Sequence, residues 1–174
     1  MRHIRARRAD DRKRLVDALR IVHDGDAYPS RWPDDPGAWL YRERVLGAWV
    51  AEHAGDLTGH VVLRAAGRQK PVGFWTAASG QDPGRCAVVG RLFVMPPARG
   101  TGLGADLLAT ACAEAGRRGL HPILDVSDLN RQAVRLYRRL GWLPLGSYLE
   151  TFGGHGPPEL MHCFAAPDPA MRAR

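Results

Sequence analysis

Lysine is almost missing from this chain of 174 residues: of its 25 lysines and arginines, all but Lys13 and Lys70 are arginine. Cysteine is scarce too. Cys86, Cys112 and Cys163 are an odd number without metal-ligand spacing, which excludes a disulfide framework and a zinc ribbon and reads as free thiols in a reducing cytoplasm. No apolar run approaches about 18 residues, so no membrane-spanning helix is expected. The N-terminal segment M-R-H-I-R-A-R-R-A-D-D is basic but leads into no apolar stretch, and does not read as a signal peptide. Internal repeats and low-complexity tracts are absent. What is left is an ordinary globular composition, 45% apolar and 25% charged, in a chain long enough to bury roughly 70% of its unfolded surface. One domain is expected over residues 1–165, with a frayed tail over 166–174.

The net charge of +7 and pI near 10.0 raise the question of a nucleic-acid partner. The arginine bias, alongside much alanine, glycine and proline, fits a GC-rich coding sequence. The arginines are also spread along the chain, with only modest clusters at Arg2–Arg14 and Arg131–Arg139. The charge is therefore read as lineage, and no nucleic-acid partner is expected.

Hydrophobic spacing predicts the elements. Asp10 and Asp11 precede Leu15, Val16, Leu19 and Val22, which recur as on one helix face. From Asp24 to Gly37 the chain is turn chemistry, D-G-D-A-Y-P-S-R-W-P-D-D-P-G, with Tyr28 and Trp32 inside it, and a short helical turn follows at Trp39 and Leu40. Two β-rich runs around Ala54-Gly55-Asp56 predict an antiparallel hairpin. Residues 66–87 read as loop with a short extended piece at Val72–Thr76, and Val88–Met95 as a buried strand. Leu103, Leu107, Leu108, Ala111 and Ala115 line one face of a helix over Gly102–Arg118, closed by Gly119. A strand at Pro122–Val126, a helix capped by Asp128 or Asn130 and stopped by Gly141, and strands at Leu143–Leu149 and Glu159–Phe164 complete the chain. The fold class is α/β with a mixed (α+β) sheet: antiparallel N-terminal strands, then a β-α-β-α-β-β half.

The most informative stretch is R-L-F-V-M-P-P-A-R-G-T-G-L-G-A-D-L-L, Arg91 to Leu108. Glycines between a strand and a helix let backbone approach a ligand, and the helix start offers unpaired N–H groups and a positive dipole end, which suit a phosphate. The P-loop pattern fails, because no lysine follows the last glycine. The dinucleotide pattern matches formally at Gly100, Gly102 and Ala105, with Asp125 about twenty residues on. It is disfavoured, because Pro96–Arg99 separate strand from glycine and too little chain follows for a doubly wound sheet.

The remaining pattern is R-x-x-G-x-G, at Arg99, Gly102 and Gly104, after L-F-V. It resembles the acetyl-CoA-binding segment of the GNAT superfamily of N-acetyltransferases. The later stretch N-R-Q-A-V-R-L-Y-R-R-L-G-W is similar to that superfamily's second segment, and the element order is also the family's. The resemblance implies a GNAT-like fold and acetyl-CoA as cosubstrate. It implies that the backbone of Phe93, Val94 and Met95 pairs with the pantetheine arm. The amides of Arg99, Gly100, Thr101, Gly102, Leu103, Gly104 and Ala105 would hold the pyrophosphate. Asn130, with Ala133 in the same motif, would bind pantetheine, and Tyr137 would stand near the thioether sulfur as the acid for the departing thiolate. The amide of Val94 or Met95 would stabilise the oxyanion. Tyr137 also shares a helix face with Ala133, Val134 and Leu140, so a core role is weighed beside the catalytic one.

The general base is not legible. The family's frequent strand glutamate is missing from A-V-V-G-R, which leaves His60 and Glu52 on the hairpin, then Asp82 and Glu150. His155 and His162 lack a third ligand at metal spacing, so no metal is expected. The expected function is direct acetyl transfer to an amine, on a small molecule or a protein, lying near Tyr28 and Trp32. A non-catalytic acyl-CoA sensor is the alternative, and a basic nucleic-acid-binding domain a weaker one. No membrane partner is expected, and a homodimer is left open.

Overall fold

Ala54 and Gly55 take φ of 50° and 89°, the paired left-handed conformation of a two-residue hairpin turn. They join β2 (Val45–His53) to β3 (Asp56–Ala65) in antiparallel register, with Val50 opposite His60. The computed structural model describes residues 2–41, 44–152 and 156–167. Around the hairpin it holds β1 (Arg2–Ala6), α1 (Arg12–Asp26), α2 (Pro36–Leu40), α3 (Lys70–Ser79), β4 (Cys86–Val94), α4 (Leu103–Arg117), β5 (His121–Ser127), α5 (Arg131–Arg139), β6 (Leu143–Glu150) and β7 (Glu159–Ala165). The strands form the expected mixed sheet, in the order β1-β2-β3-β4-β5-β7-β6. The chain divides into two compact units. One comprises the residues up to Arg64 together with Val89–Glu114, the other Ala65–Val88 and the residues from Ala115 on.

In the first unit, the apolar face of α1 (Leu15, Ala18, Leu19 and Val22) is buried in one cluster with Leu40, Val50, Leu57 and Phe93. Alternation along β2 and β3 and the helical period of α1 bring these residues to one side. α4 lies close on β3 because position 59 is glycine. A Cβ there would stand 2.8 Å from Leu107 Cδ1 and 3.2 Å from the Phe93 carbonyl oxygen. Leu103, Leu107, Leu108, Ala111 and Ala115 are all buried, as their spacing predicts.

Arg5 ties β1 into this unit. Its Nη1 and Nη2 each donate to Asp11 at 2.7 Å, while Nε and Nη2 donate to Glu52 at 3.1 and 2.7 Å. Asp11, almost fully buried, also accepts the Arg8 N–H at 2.7 Å and so fixes the entry to α1. The Arg5 hydrogen bonds hold both carboxyls below their ordinary pKa, against the opposing effect of burial.

In the second unit, β4 pairs in parallel with β5 from Cys86 to Val88, and β7 lies antiparallel between β5 and β6. Val72 and Trp75 of α3 are buried against Cys86, Val88, Ile123 and Ala165. Asn130 caps α5 by accepting the Ala133 N–H at 3.2 Å. Gly80, Gly119 and Gly141 stand at helix ends with φ of 70°, 66° and 76°, the conformation that glycine permits there.

The structure corrects three expectations. The chain opens with a strand, β1, where none was expected. Its residues R-H-I-R-A have no apolar alternation, and the strand is held by its ladder to β2 (Ile4 opposite Ala51) and by Arg5. Residues 70–79 are helix, not loop with an extended piece. Pro71 sits in its first turn, Val72 and Trp75 fall three apart on the buried face, and the core they meet overrides Gly73 and the β-prone Val, Phe, Trp and Thr. α1 runs on to Asp26 and ends at a left-handed Ala27 (φ 53°), so the turn segment is shorter than the stretch from Asp24 to Gly37. Residues 168–174, most of the expected tail, lie outside the described residues. Among the described residues no helix is long and apolar enough to cross a membrane.

Asp11→Asn is expected to cost about 3–5 kcal/mol, the loss typical of breaking a buried ion pair, read as a lower urea midpoint. Because the folded-state pKa values of Asp11 and Glu52 are depressed, the stability they contribute is complete above the unfolded carboxylate pKa of about 4. It is lost as pH falls through the folded values, so the variant's deficit should shrink in acid.

Candidate active site

β4 does not run evenly. Arg91, a non-glycine residue, takes φ of 49° in mid-strand, a conformation that costs about 1–3 kcal/mol and persists only where its surroundings enforce it. The enforcing group is His60. Its ring is fully buried, with Nδ1 bonded to the Arg91 carbonyl at 3.0 Å and Nε2 to Arg7 Nη1 at 3.1 Å. The carbonyl only accepts and the guanidinium only donates, which fixes the tautomer: Nδ1 carries the proton and Nε2 accepts. Burial, then the Arg7 charge, pulls the His60 pKa down to about 3. The imidazole is neutral with both nitrogens occupied, a clamp on the kinked strand.

Beyond the kink the burial of β4 alternates, with Phe93 inward and Val94 half-exposed. The Met95 N–H, one of the two amides considered for an oxyanion, is spent on the Thr58 carbonyl at 2.9 Å. One turn of 3-10 helix at Pro96–Ala98 reverses the chain. The Arg99 side chain then braces the segment: Nε donates to the Val94 carbonyl at 3.1 Å, Nη1 to Asp26 at 3.0 Å, and Nη2 pairs with the second Asp26 oxygen. Thr101 Oγ1 donates to the Ala98 carbonyl at 2.7 Å.

Gly100 and Gly102 follow with φ of 72° and 83°, and a Cβ on either would meet nothing within 4 Å. That open side is free for a ligand to approach the backbone. The Ala105 and Asp106 amides reach back to the Gly102 carbonyl at 3.0 and 3.1 Å. Helix geometry leaves the Leu103 and Gly104 amides without an intrahelical acceptor. A loop open at its glycines that delivers N–H groups and a helix dipole to one place fits a pyrophosphate.

The other expected residues fall as follows. Glu52 is engaged by Arg5, with Arg14 at 3.4 Å. Tyr28 and Trp32 are half-buried against the first unit's core. Trp32 lies under the Arg20 guanidinium (3.5 Å) and beside His23 (5.3 Å), and Tyr28 meets Trp39 edge-on at 6.3 Å. In the second unit, Tyr137 is 5% exposed, packed against Trp142 (5.7 Å) and Phe164 (6.1 Å). Its neighbour Val134 is buried, whereas Leu140 is 38% exposed. Asn130 uses its side-chain oxygen as the helix cap, which leaves its NH2 outside that bond. Asp82 accepts the Gly84 N–H and Glu150 the Thr151 N–H. Asp125 accepts from the Tyr148 hydroxyl at 2.5 Å. His162 bonds Ser147 and Asp128, each at 2.9 Å; His155 lies outside the described residues. Among the described residues no three His, Cys, Asp or Glu side chains are grouped to hold a metal. Missed by sequence reasoning are the strained Arg91, the brace at Asp26 and the pairing of Arg7 with His60. None has a signal in a local pattern, since each joins residues 31 or more positions apart.

A strained strand leading through open glycines to a helix N-terminus is an arrangement that suits a phosphate-bearing ligand. The model of the GNAT acetyltransferase family matches residues 15–142, and the chain belongs to that family, whose class is the acyl-CoA-dependent N-acetyltransferases, with acetyl-CoA as cosubstrate. It is 35% identical over 100 residues to mycothiol acetyltransferase of Thermobispora bispora, a match that covers 55% of this chain and 30% of that protein. The chain thus spans about a third of that curated relative's length. Among solved structures, Arabidopsis thaliana NAA60 in complex with acetyl-CoA superposes with a TM-score of 0.73 at 18% identity, over 95% of this chain and 97% of that one. The ribosomal-protein-S18-alanine N-acetyltransferase of Escherichia coli gives a TM-score of 0.67 at 20% identity, over 96% and 94%. At these identities the likeness is one of fold.

Since the folded-state pKa of His60 lies below its unfolded value of about 6.5, the stability linked to its neutral form is complete above pH 6.5 and declines towards the folded value of about 3. Denaturant midpoints measured from pH 7 to 4 should fall in the wild type, by up to about 1.4 kcal/mol per unit from this group, and less in His60→Gln. His60→Leu leaves the Arg91 carbonyl without its donor and should cost about 1–3 kcal/mol at pH 7.

Proposed function

We propose that this chain transfers an acetyl group from acetyl-CoA directly to the nitrogen of an amine acceptor, with both substrates bound at once. The observation that carries the reading is the junction of β4 with α4, where an extended strand end, two left-handed glycines with open Cβ positions and free helix-start amides follow one another. The amides of Gly100, Gly102, Leu103 and Gly104 would hold the pyrophosphate, and the backbone of Phe93 and Val94 would pair with the pantetheine arm in the manner of an added strand. Bound acetyl-CoA supplies the thioester whose carbonyl is attacked.

The chain's own groups do the rest. The Val94 amide is assigned to the negative charge that develops on the acyl oxygen. Asn130 is assigned to pantetheine through its NH2, and Tyr137 to the proton that the departing sulfur takes up. In the balanced step the neutral amine forms the new N–C bond, the C–S bond breaks, and the proton shed by nitrogen ends on sulfur. Neither Glu52 nor His60 is placed to serve as the base, since one is tied to Arg5 and the other has both nitrogens filled. That same observation supports the alternative of an acyl-CoA sensor that binds without turnover. Three free thiols agree with a cytoplasmic setting. Arg5, Arg7, Arg14 and Arg99 are engaged within the first unit, which weighs against reading the charge as a nucleic-acid footprint.

Acetyl-CoA is expected to raise the melting temperature, with stabilisation of about 2.7 kcal/mol at a hundred times its Kd. Gly102→Val, which places a β-branched residue at φ 83°, should abolish the shift. No shift at millimolar acetyl-CoA in the wild type sinks the transferase and sensor readings together. Tyr137→Phe should keep the shift and lower thiol release from acetyl-CoA about 10²-fold; unchanged turnover returns Tyr137 to the core. Binding with no turnover on any amine selects the sensor.

A further inference from the structure

Asp26, the last residue of α1, stands outside the groups assigned above. Its carboxylate takes both terminal nitrogens of Arg99, Nη1 at 3.0 Å and Nη2 on the second oxygen, while Arg99 Nε donates to the Val94 carbonyl at 3.1 Å. Bonds in two directions fix the plane of that guanidinium. Arg99 also opens the loop that carries the left-handed Gly100 and Gly102. Glycine gives this loop backbone freedom, and that freedom must be lost before its amides can face one ligand together. α4 holds the far end of the loop from Leu103 on. The near end is held by the Arg99 side chain, and so by Asp26.

On its other side Asp26 meets the segment that carries Tyr28 and Trp32. α1 ends at the left-handed Ala27, whose N–H bonds the His23 carbonyl at 2.8 Å. The His23 ring then grips the segment: Nδ1 bonds the Pro29 carbonyl at 2.7 Å, and the ring lies 5.3 Å from that of Trp32. One carboxylate thus joins the end of α1, and the aromatics after it, to a residue 73 positions further along the chain.

Charge makes the arrangement informative. A carboxylate beside a phosphate site repels the ligand and occupies a guanidinium that would attract it. It also opposes the dipole at a helix C-terminus, so it does nothing for α1. Were Asp26 only surface charge, its removal would tighten binding of a polyphosphate.

We propose that Asp26 is a positioning residue: acting through Arg99, it fixes the glycine loop for acetyl-CoA and couples that loop to the Tyr28–Trp32 segment, so that filling one steadies the other. The inference rests on acetyl-CoA binding as proposed above. Such coupling is reciprocal, so a ligand bound at that segment would tighten acetyl-CoA by the same factor.

The test measures the Kd of acetyl-CoA by calorimetry, and amide hydrogen exchange over residues 27–35 with and without it. In Asp26→Asn the Kd is expected to rise about tenfold, opposite in sign to the effect of losing a negative charge. Asp26→Glu should regain part of that loss. Asp17→Asn removes an equal charge from the exposed side of α1, where it pairs with Lys13, and should leave the Kd unchanged. In an Arg99→Gln background Asp26→Asn should have no further effect, because the two act along one path. Acetyl-CoA should slow exchange over residues 27–35 in the wild type and not in Asp26→Asn. The pair is partly exposed, so the variants are expected to fold, and their melting temperatures without ligand check this. An unchanged or lower Kd in Asp26→Asn overturns the proposal. So does a further loss in the Arg99→Gln background, or protection of residues 27–35 that survives the substitution. Each of these leaves the transferase reading standing. A wild type that fails to bind acetyl-CoA at millimolar concentration removes that reading, and this inference with it.

Discussion

The hydrogen bond from His60 to the Arg91 carbonyl is the constraint on which the first unit turns. A strand of L-residues gains nothing by placing one of them at φ 49°, so the kink must be held from outside. His60 holds it from β3 with a proton that cannot be given up, because burial and two neighbouring cations keep the ring neutral and its other nitrogen is filled. The kink in turn sets the backbone of Phe93 and Val94, and Arg99 carries that setting into the glycine loop by bonding both the Val94 carbonyl and Asp26. Strand, brace and helix start form one chain of contacts from His60 to the α4 amides.

Arginine does three different jobs in this unit, and each draws on the planar guanidinium rather than on charge alone. Arg5 spans two carboxylates with a fork that a point charge lacks. Arg99 spans a carbonyl and a carboxylate with the same fork. Arg7 and Arg91 stand over the Tyr41 and Trp39 rings, at 3.8 and 4.6 Å, as cations on aromatic faces. The first two uses close the structure.

How much was legible follows the distance over which each feature is encoded. α4 was read correctly because its apolar stripe, Leu103 to Ala115, obeys a local rule, and the glycines before it mark its start in the same way. The Asn130 cap and the hairpin turn are local in the same sense. α3 was misread because its Val, Phe, Trp and Thr favour strand in isolation, and only burial of Val72 and Trp75 makes the helix worthwhile. β1 was missed because nothing in R-H-I-R-A alternates; its partner lies 47 residues on, where Glu52 receives Arg5. His60 was considered as a base from its residue type, and the contacts of both ring nitrogens give it another task.

The sequence by itself determined the hairpin around its turn, the α4 stripe, the helix caps and the glycines of the junction between β4 and α4, together with membership of a family that its two motifs already suggested. These are properties of neighbours along the chain, fixed by φ/ψ preference and hydrophobic period. Only tertiary structure decided the strain at Arg91, the protonation of His60, the engagement of Glu52 and of the Met95 amide, and the pairing of Arg7 with neutral partners. Each of these depends on burial and on a group far away in sequence, and burial is what turns an ordinary histidine into a fixed neutral clamp.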